Sequence, residues 1–158
     1  MIDWFTLARW LHVLGATVLI GTGAGIAFFM VMAHRTRDAR AIAHVASTVV
    51  VADFLFTASA VVIQPLTGIW LAVLVGWPLD TPWLLVSYAL YLLIGAFWLP
   101  VVRMQIRMRD LARDAAATGA PLPATYHRLY RAWFACGFPA FAAILAIVWL
   151  MLKRPVLW

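Results

Sequence analysis

The chain has 158 residues, of which 66% are hydrophobic and only 11% charged. Its mean hydropathy is +0.95. A soluble domain has too much surface for its volume to hide that much apolar side chain, and average soluble usage is about 45–50% apolar and about 25% charged. The same figures exclude disorder, and a single cysteine, Cys136, excludes a disulfide scaffold. The net charge of +6 points to membrane topology rather than nucleic acid, given the length of the apolar runs. Composition thus gives a single-domain integral membrane protein and leaves the activity to a few polar residues.

Four apolar segments follow in chain order: residues 4–33, 41–75, 81–102 and 126–152. Each reaches the roughly 20 residues that cross about 30 Å of hydrocarbon as a helix. Lipid offers no partner to unpaired backbone groups, so helices are expected, and barrel strands would alternate over about 10 residues. The third helix is expected to continue past the bilayer to residue 117 before Thr118–Pro123 breaks it. Short connections make neighbours antiparallel. The predicted fold is all-α, a four-helix up-down-up-down transmembrane bundle. The first segment does not read as a cleavable signal, because Asp3 and a single Arg9 make a poor basic leader. Pro65 and Pro139 are expected to kink their helices.

Nine of the twelve Lys and Arg residues (Arg35, Arg37, Arg40, Arg103, Arg107, Arg109, Arg113, Arg128 and Arg131) fall on one side of this topology. Arg9, Lys153 and Arg154 fall on the other. The positive-inside rule then places both termini outside, periplasmic in a bacterial inner membrane, with the basic loops cytoplasmic. Trp4, Trp10, Trp70, Trp77, Trp83, Trp149 and Trp158 form the expected interfacial belt at the outer side.

Ionisable groups inside a bilayer are functional candidates by default. His12 and Asp53 qualify. Counting outward from the hairpins puts His12 level with Gln64, Leu93 and Ala143, and Asp53 level with Gly21, Arg103 and Trp133. Gly15 and Ala16 share the face of His12, and Thr22 and Gly23 continue it. A histidine beside small residues suits a haem, the imidazole binding iron and Gly15 admitting the ring. The bland alternative is a histidine hydrogen-bonded to a neighbouring helix, with glycines for close packing.

Asp53, Thr57, Gln64 and Gly68 form a stripe on one helical face that should look into the bundle. Arg103 is the expected counter-ion of Asp53, with Arg107 as a second choice. The stripe reads either as a structural ion pair or as a proton relay or propionate anchor. His34, His44 and His127 fall near the basic side. His44 with His127 is a weaker possibility for a bis-histidine haem or metal site, and their spacing matches no metal motif.

The Arg103–Arg113 run with Asp110 and Asp114 is expected to be a solvated extension near anionic lipid. Gly21-Thr22-Gly23-Ala24-Gly25 has no preceding strand and is not a phosphate loop. It is expected to serve helix or cofactor contact, including a homodimer.

His12-Val13-Leu14-Gly15, Phe28-Phe29, His34, Thr57 to Gly68, Trp83, Tyr130-Arg131-Ala132-Trp133, Pro139 and Lys153-Arg154-Pro155 occur in an order and spacing that resembles HemJ-type protoporphyrinogen oxidase. The chain is more similar still to a bacterial family described only as predicted integral membrane proteins of unknown function. The HemJ-type resemblance implies b-type haem on His12. The arginine that family carries late in its first helix falls near Phe28 or Phe29 here, its third-helix lysine at Ser87, and its fourth-helix acid near Cys136 or Gly137. The resemblance therefore implies haem binding more than protoporphyrinogen oxidation.

The expected function is a membrane-bound b-type cytochrome or haem oxidoreductase, with quinone or a porphyrin as partner and Arg103, Asp53 and Gln64 as polar groups around the cofactor. The rivals are a non-catalytic membrane subunit or scaffold, and a proton or small-solute pathway built on Asp53 and Gln64.

Overall fold

The helices start where the sequence supplies start signals. In the computed structural model, which describes residues 3–157, the Asp3 carboxylate accepts from the Phe5 amide at 3.1 Å and opens α1 (Trp4–Thr36). Asp38 accepts from the Arg40 amide at 2.9 Å and opens α2 (Ala39–Val75). Such caps satisfy amide donors that a first turn leaves free. Pro82 takes the first position of α3 (Pro82–Thr118), where its missing N–H is no loss. Helix α4 (Ala124–Lys153) follows Pro123 in extended backbone. Left-handed residues end all four helices: Arg37, Gly76, Gly119 and Arg154. At Gly76 and Gly119 the absence of a Cβ removes the clash of that conformation.

All four helices are long and apolar enough to cross a membrane. The described elements are all helical, and the chain is an integral membrane four-helix protein. Helix α1 lies along both halves of α2, the first half of α2 packs on α3, and α3 packs on α4. Helix–helix association in lipid comes from packing and interhelical hydrogen bonds rather than from apolar transfer. Two packed layers supply it here. At the basic end, Met30, Ile42, Met108 and Tyr126 are the largest fully buried side chains. They close around Ile26, Ala46, Val49, Ala112 and Trp133. At the other end Ala72, Trp83, Leu84 and Leu150 pack with Trp77 and Met151. The Trp4–Trp70 and Trp77–Trp83 ring pairs lie 6.2 and 5.7 Å apart at this second end. Trp158 lies outside the described residues.

Three features differ from the sequence reading. The extension of α3 is not solvated all round, since Gln105, Met108, Ala112 and Ala115 are buried while Arg103, Arg107 and Arg113 are exposed. Helix α2 contains a π-helical turn, Asp53–Thr57, in which the Ala58 amide reaches back five residues to the Asp53 carbonyl. Periodicity reads such a segment as plain helix, because a nearly continuous apolar run has no phase for the extra residue to disturb visibly. Gly21 and Gly23 contact no other helix of this chain: a Cβ built on either would meet nothing within 4 Å.

Candidate functional site

The polar residues inside the bundle form two clusters. The first joins α1 to the second half of α2. His12 Nδ1 lies 3.1 Å from Thr67 Oγ1, and His12 Nε2 lies 3.4 Å from Gln64 Nε2. The Thr67 hydroxyl donates its one proton to main-chain carbonyls one turn back, Ile63 at 2.9 Å and Gln64 at 3.1 Å. With its proton so placed it accepts from His12, and the Gln64 amide nitrogen beside Nε2 is consistent with the same tautomer. This network assigns the imidazole proton to Nδ1 and leaves the lone pair on Nε2.

Two glycines make room for the cluster. A Cβ on Gly68 would stand 3.0 Å from His12 Cε1, so the ring rests directly on the α2 backbone. A Cβ on Gly15 would collide with Gln64 Oε1. The space expected above Gly15 is thus filled by the Gln64 amide. Gln64 Oε1 is buried without a hydrogen-bond partner. An amide with one long hydrogen bond and one orphaned buried oxygen is a weakly held cover over Nε2.

The second cluster centres on Asp53, at the start of the π turn and 3% exposed. Its Oδ1 accepts from Trp98 Nε1 of α3 at 3.2 Å. Gln105, in the amide orientation that satisfies both its neighbours, donates to Asp53 Oδ2 at 3.1 Å and accepts from Trp133 Nε1 of α4 at 3.3 Å. Helix α3 therefore meets the carboxyl group through two neutral donors, and α4 joins the network through Gln105. Thr57 is also buried, and its hydroxyl meets no hydrogen-bond partner.

The expected Asp53–Arg103 pair does not form. Arg103 is exposed, and the ion pair among the described residues is Arg109–Asp110 at 2.8 Å. Gln105 stands where Arg103 was expected. The depth is right, but two residues along a helix turn the side chain by about 200°. An outward arginine keeps its charge in reach of water or headgroups, whereas an inward one carries a desolvation cost. Gln105 and Trp98 escaped the sequence reading because it ranked residues by charge. Their seven-residue spacing on one face of α3 was the available signal. The stripe from Asp53 to Gly68 also serves two different neighbours: Asp53 meets α3, while Gln64 and Gly68 meet α1.

The remaining histidines form no metal centre. His34 stacks on Tyr130 with ring centroids 3.6 Å apart, and His127 meets it edge-on at 5.8 Å. His44 is exposed and outside this cluster. No group of three His, Cys, Asp or Glu side chains that could hold a metal ion occurs among the described residues. Of the expected His44–His127 pair, His127 packs on His34.

His12 alone has the chemistry of an axial haem ligand: Nδ1–H bonded to a fixed acceptor, Nε2 with its lone pair, and a glycine against the ring. For an iron to reach Nε2 the Gln64 amide, which stands over it and over Gly15, would have to swing aside.

No curated protein and no solved structure matches the chain. A family model described as predicted integral membrane protein (DUF2269) matches residues 6–155. What the comparisons show is therefore this family, not the HemJ-type likeness. With residues 6–155 matched, and four helices able to span a membrane, the chain belongs to the DUF2269 family of integral membrane proteins.

Proposed function

We propose that this protein is a membrane-embedded b-type haem protein, with His12 Nε2 as axial ligand. The observation that carries the reading is the Thr67 hydroxyl at 3.1 Å from His12 Nδ1. It fixes the tautomer a ligand needs and raises the basicity of Nε2. Haem, when bound, supplies one-electron chemistry. The chain's own residues do the rest. Gly68 seats the imidazole against the α2 backbone. Gln64 covers Nε2 from water and small ligands in the absence of the cofactor. Protoporphyrinogen oxidation is a less favoured activity, because uncharged residues stand where the HemJ type carries its charged set. A quinone is the proposed electron partner, since the site lies within the apolar spans, where a lipid-soluble carrier can reach it.

The test is an absorption spectrum of protein purified after expression with haem supplied. A Soret band that is lost in His12→Ala is the expected result. A spectrum without a Soret band overturns the reading, and a band that persists in His12→Ala overturns His12 as ligand.

One observation favours a second reading, a proton pathway through Asp53. Its carboxyl group is buried and held by neutral donors only. It can gain or lose a proton without breaking an ion pair. Loss of proton flux in Asp53→Asn, with any haem spectrum intact, is the result that would favour it.

A further inference from the structure

The basic end of the bundle carries a recess of about 1000 Å³ between the α1–α2 turn and the end of α3. His34, Arg35, Arg37, Asp38, Arg40 and His127 supply its polar lining. Three guanidinium groups thus face one carboxylate. The Asp38 carboxylate is already used, capping α2 through the Arg40 amide at 2.9 Å. Arg35, Arg37 and Arg40 make no ion pair among the described residues. Arg37 holds its place at φ 57°, a left-handed conformation that a glycine would adopt at lower cost.

Tyr126 is fully buried, and its hydroxyl pairs with His34 Nδ1 at 3.4 Å, which orients the imidazole. The opposite wall, with Ala116 and Leu122, is apolar and belongs to the end of α3 and its following loop. The recess combines uncompensated guanidinium forks, an oriented imidazole and an apolar wall at the basic end of membrane-crossing helices.

We propose that this recess binds a diphosphoryl anion, as the headgroup of an anionic lipid or as a soluble diphosphate. Arginine forks match phosphoryl oxygens two by two. The volume exceeds what a single phosphate fills. Basic pockets between membrane helices hold anionic headgroups by the same chemistry. The site is separate from His12 and Asp53 and does not depend on a haem.

The experiment uses the full chain in phosphatidylcholine nanodiscs with two probes. Inorganic pyrophosphate is titrated calorimetrically, and cardiolipin added to the discs is followed by native mass spectrometry. Binding of at least one probe is expected. It should fall about tenfold or more, roughly one hydrogen-bonded charge pair in free energy, in Arg37→Gln/Arg40→Gln. It should also weaken as ionic strength rises. Arg154→Gln, at the opposite end, leaves it unchanged. Arg35→Gln alone must also weaken binding, which guards against misfolding of the double variant. Binding of cardiolipin alone assigns a lipid headgroup, and binding of pyrophosphate alone a soluble ligand. If neither probe binds, or the arginine variants bind as tightly as the parent, the proposal is wrong.

Discussion

Thr67 sets the tautomer of His12. Its hydroxyl gives its proton to main-chain carbonyls and receives the Nδ1 proton at 3.1 Å. Thr67→Val keeps the shape and removes the acceptor. A half-buried N–H without a partner costs about 1–3 kcal/mol, so the melting temperature should fall. If His12 ligates haem, the reduction potential should drop or rise as well, while Thr67→Ser restores both. A change in melting temperature with an unaltered haem potential would make Thr67 purely structural.

The two glycines of this cluster should respond differently to a methyl group. In Gly68→Ala the new Cβ meets the rigid imidazole at 3.0 Å, and the ring must shift. In Gly15→Ala it meets the far end of the Gln64 side chain, which can rotate away. Haem content after purification should therefore fall in Gly68→Ala and persist in Gly15→Ala. Equal loss in both would contradict the assignment of Gln64 as a displaceable cover.

Asp53 is held by hydrogen bonds rather than by a cation, which separates three variants. Arg103→Gln should change thermal stability by no more than about 0.5 kcal/mol, as for a surface position. Asp53→Asn keeps an acceptor for Trp98 and leaves one donor of the Gln105–Trp133 pair unmatched, so folding should survive at a smaller cost than in Asp53→Leu. Asp53→Leu strands the Trp98 and Gln105 donors, each at about 1–3 kcal/mol. A large loss in Arg103→Gln, measured by thermal unfolding in detergent, would restore the ion pair.

Tyr126 is fully buried in the layer that joins α1, α2, α3 and α4 at the basic end. Tyr126→Phe retains the packing and loses the bond to His34, at about 1 kcal/mol. Tyr126→Ala empties the largest fully buried side chain, and truncations of this size cost about 3–5 kcal/mol. The melting temperatures of the two variants check that order.

Asp3 gives a pH effect with a fixed sign. Its hydrogen bond to the Thr6 hydroxyl, with those from the Thr6 and Phe5 amides, holds the carboxyl below its ordinary value of 3.8. A depressed folded value means that the charged form favours the capped helix. The cap is therefore fully present above the ordinary value and is lost as pH falls through the lower one. The protection factors of the Phe5 and Leu7 amides, with the intrinsic pH dependence of exchange divided out, should fall below about pH 4 and stay flat above it. Protection factors that are flat through this range would remove Asp3 as the cap.

Some of this was legible in the sequence because it depends on local rules. Length and apolarity determined four spans, and the Thr118–Pro123 break was legible from its glycine and prolines, while the Asp3 and Asp38 caps emerged only from the structure. Depth was legible too, since helices joined by short turns advance at a common rise per residue. That is why His12 and Gln64 met as expected. Rotation about each helix axis was not legible. Whether Arg103 or Gln105 faces Asp53 depends on how α3 packs against α2 and α4, and on where the π turn inserts its extra residue. The sequence by itself determined which polar residues lie inside the membrane spans, because desolvation makes them few. Only the tertiary structure decided their partners, because a hydrogen bond needs an orientation that no spacing along one chain specifies.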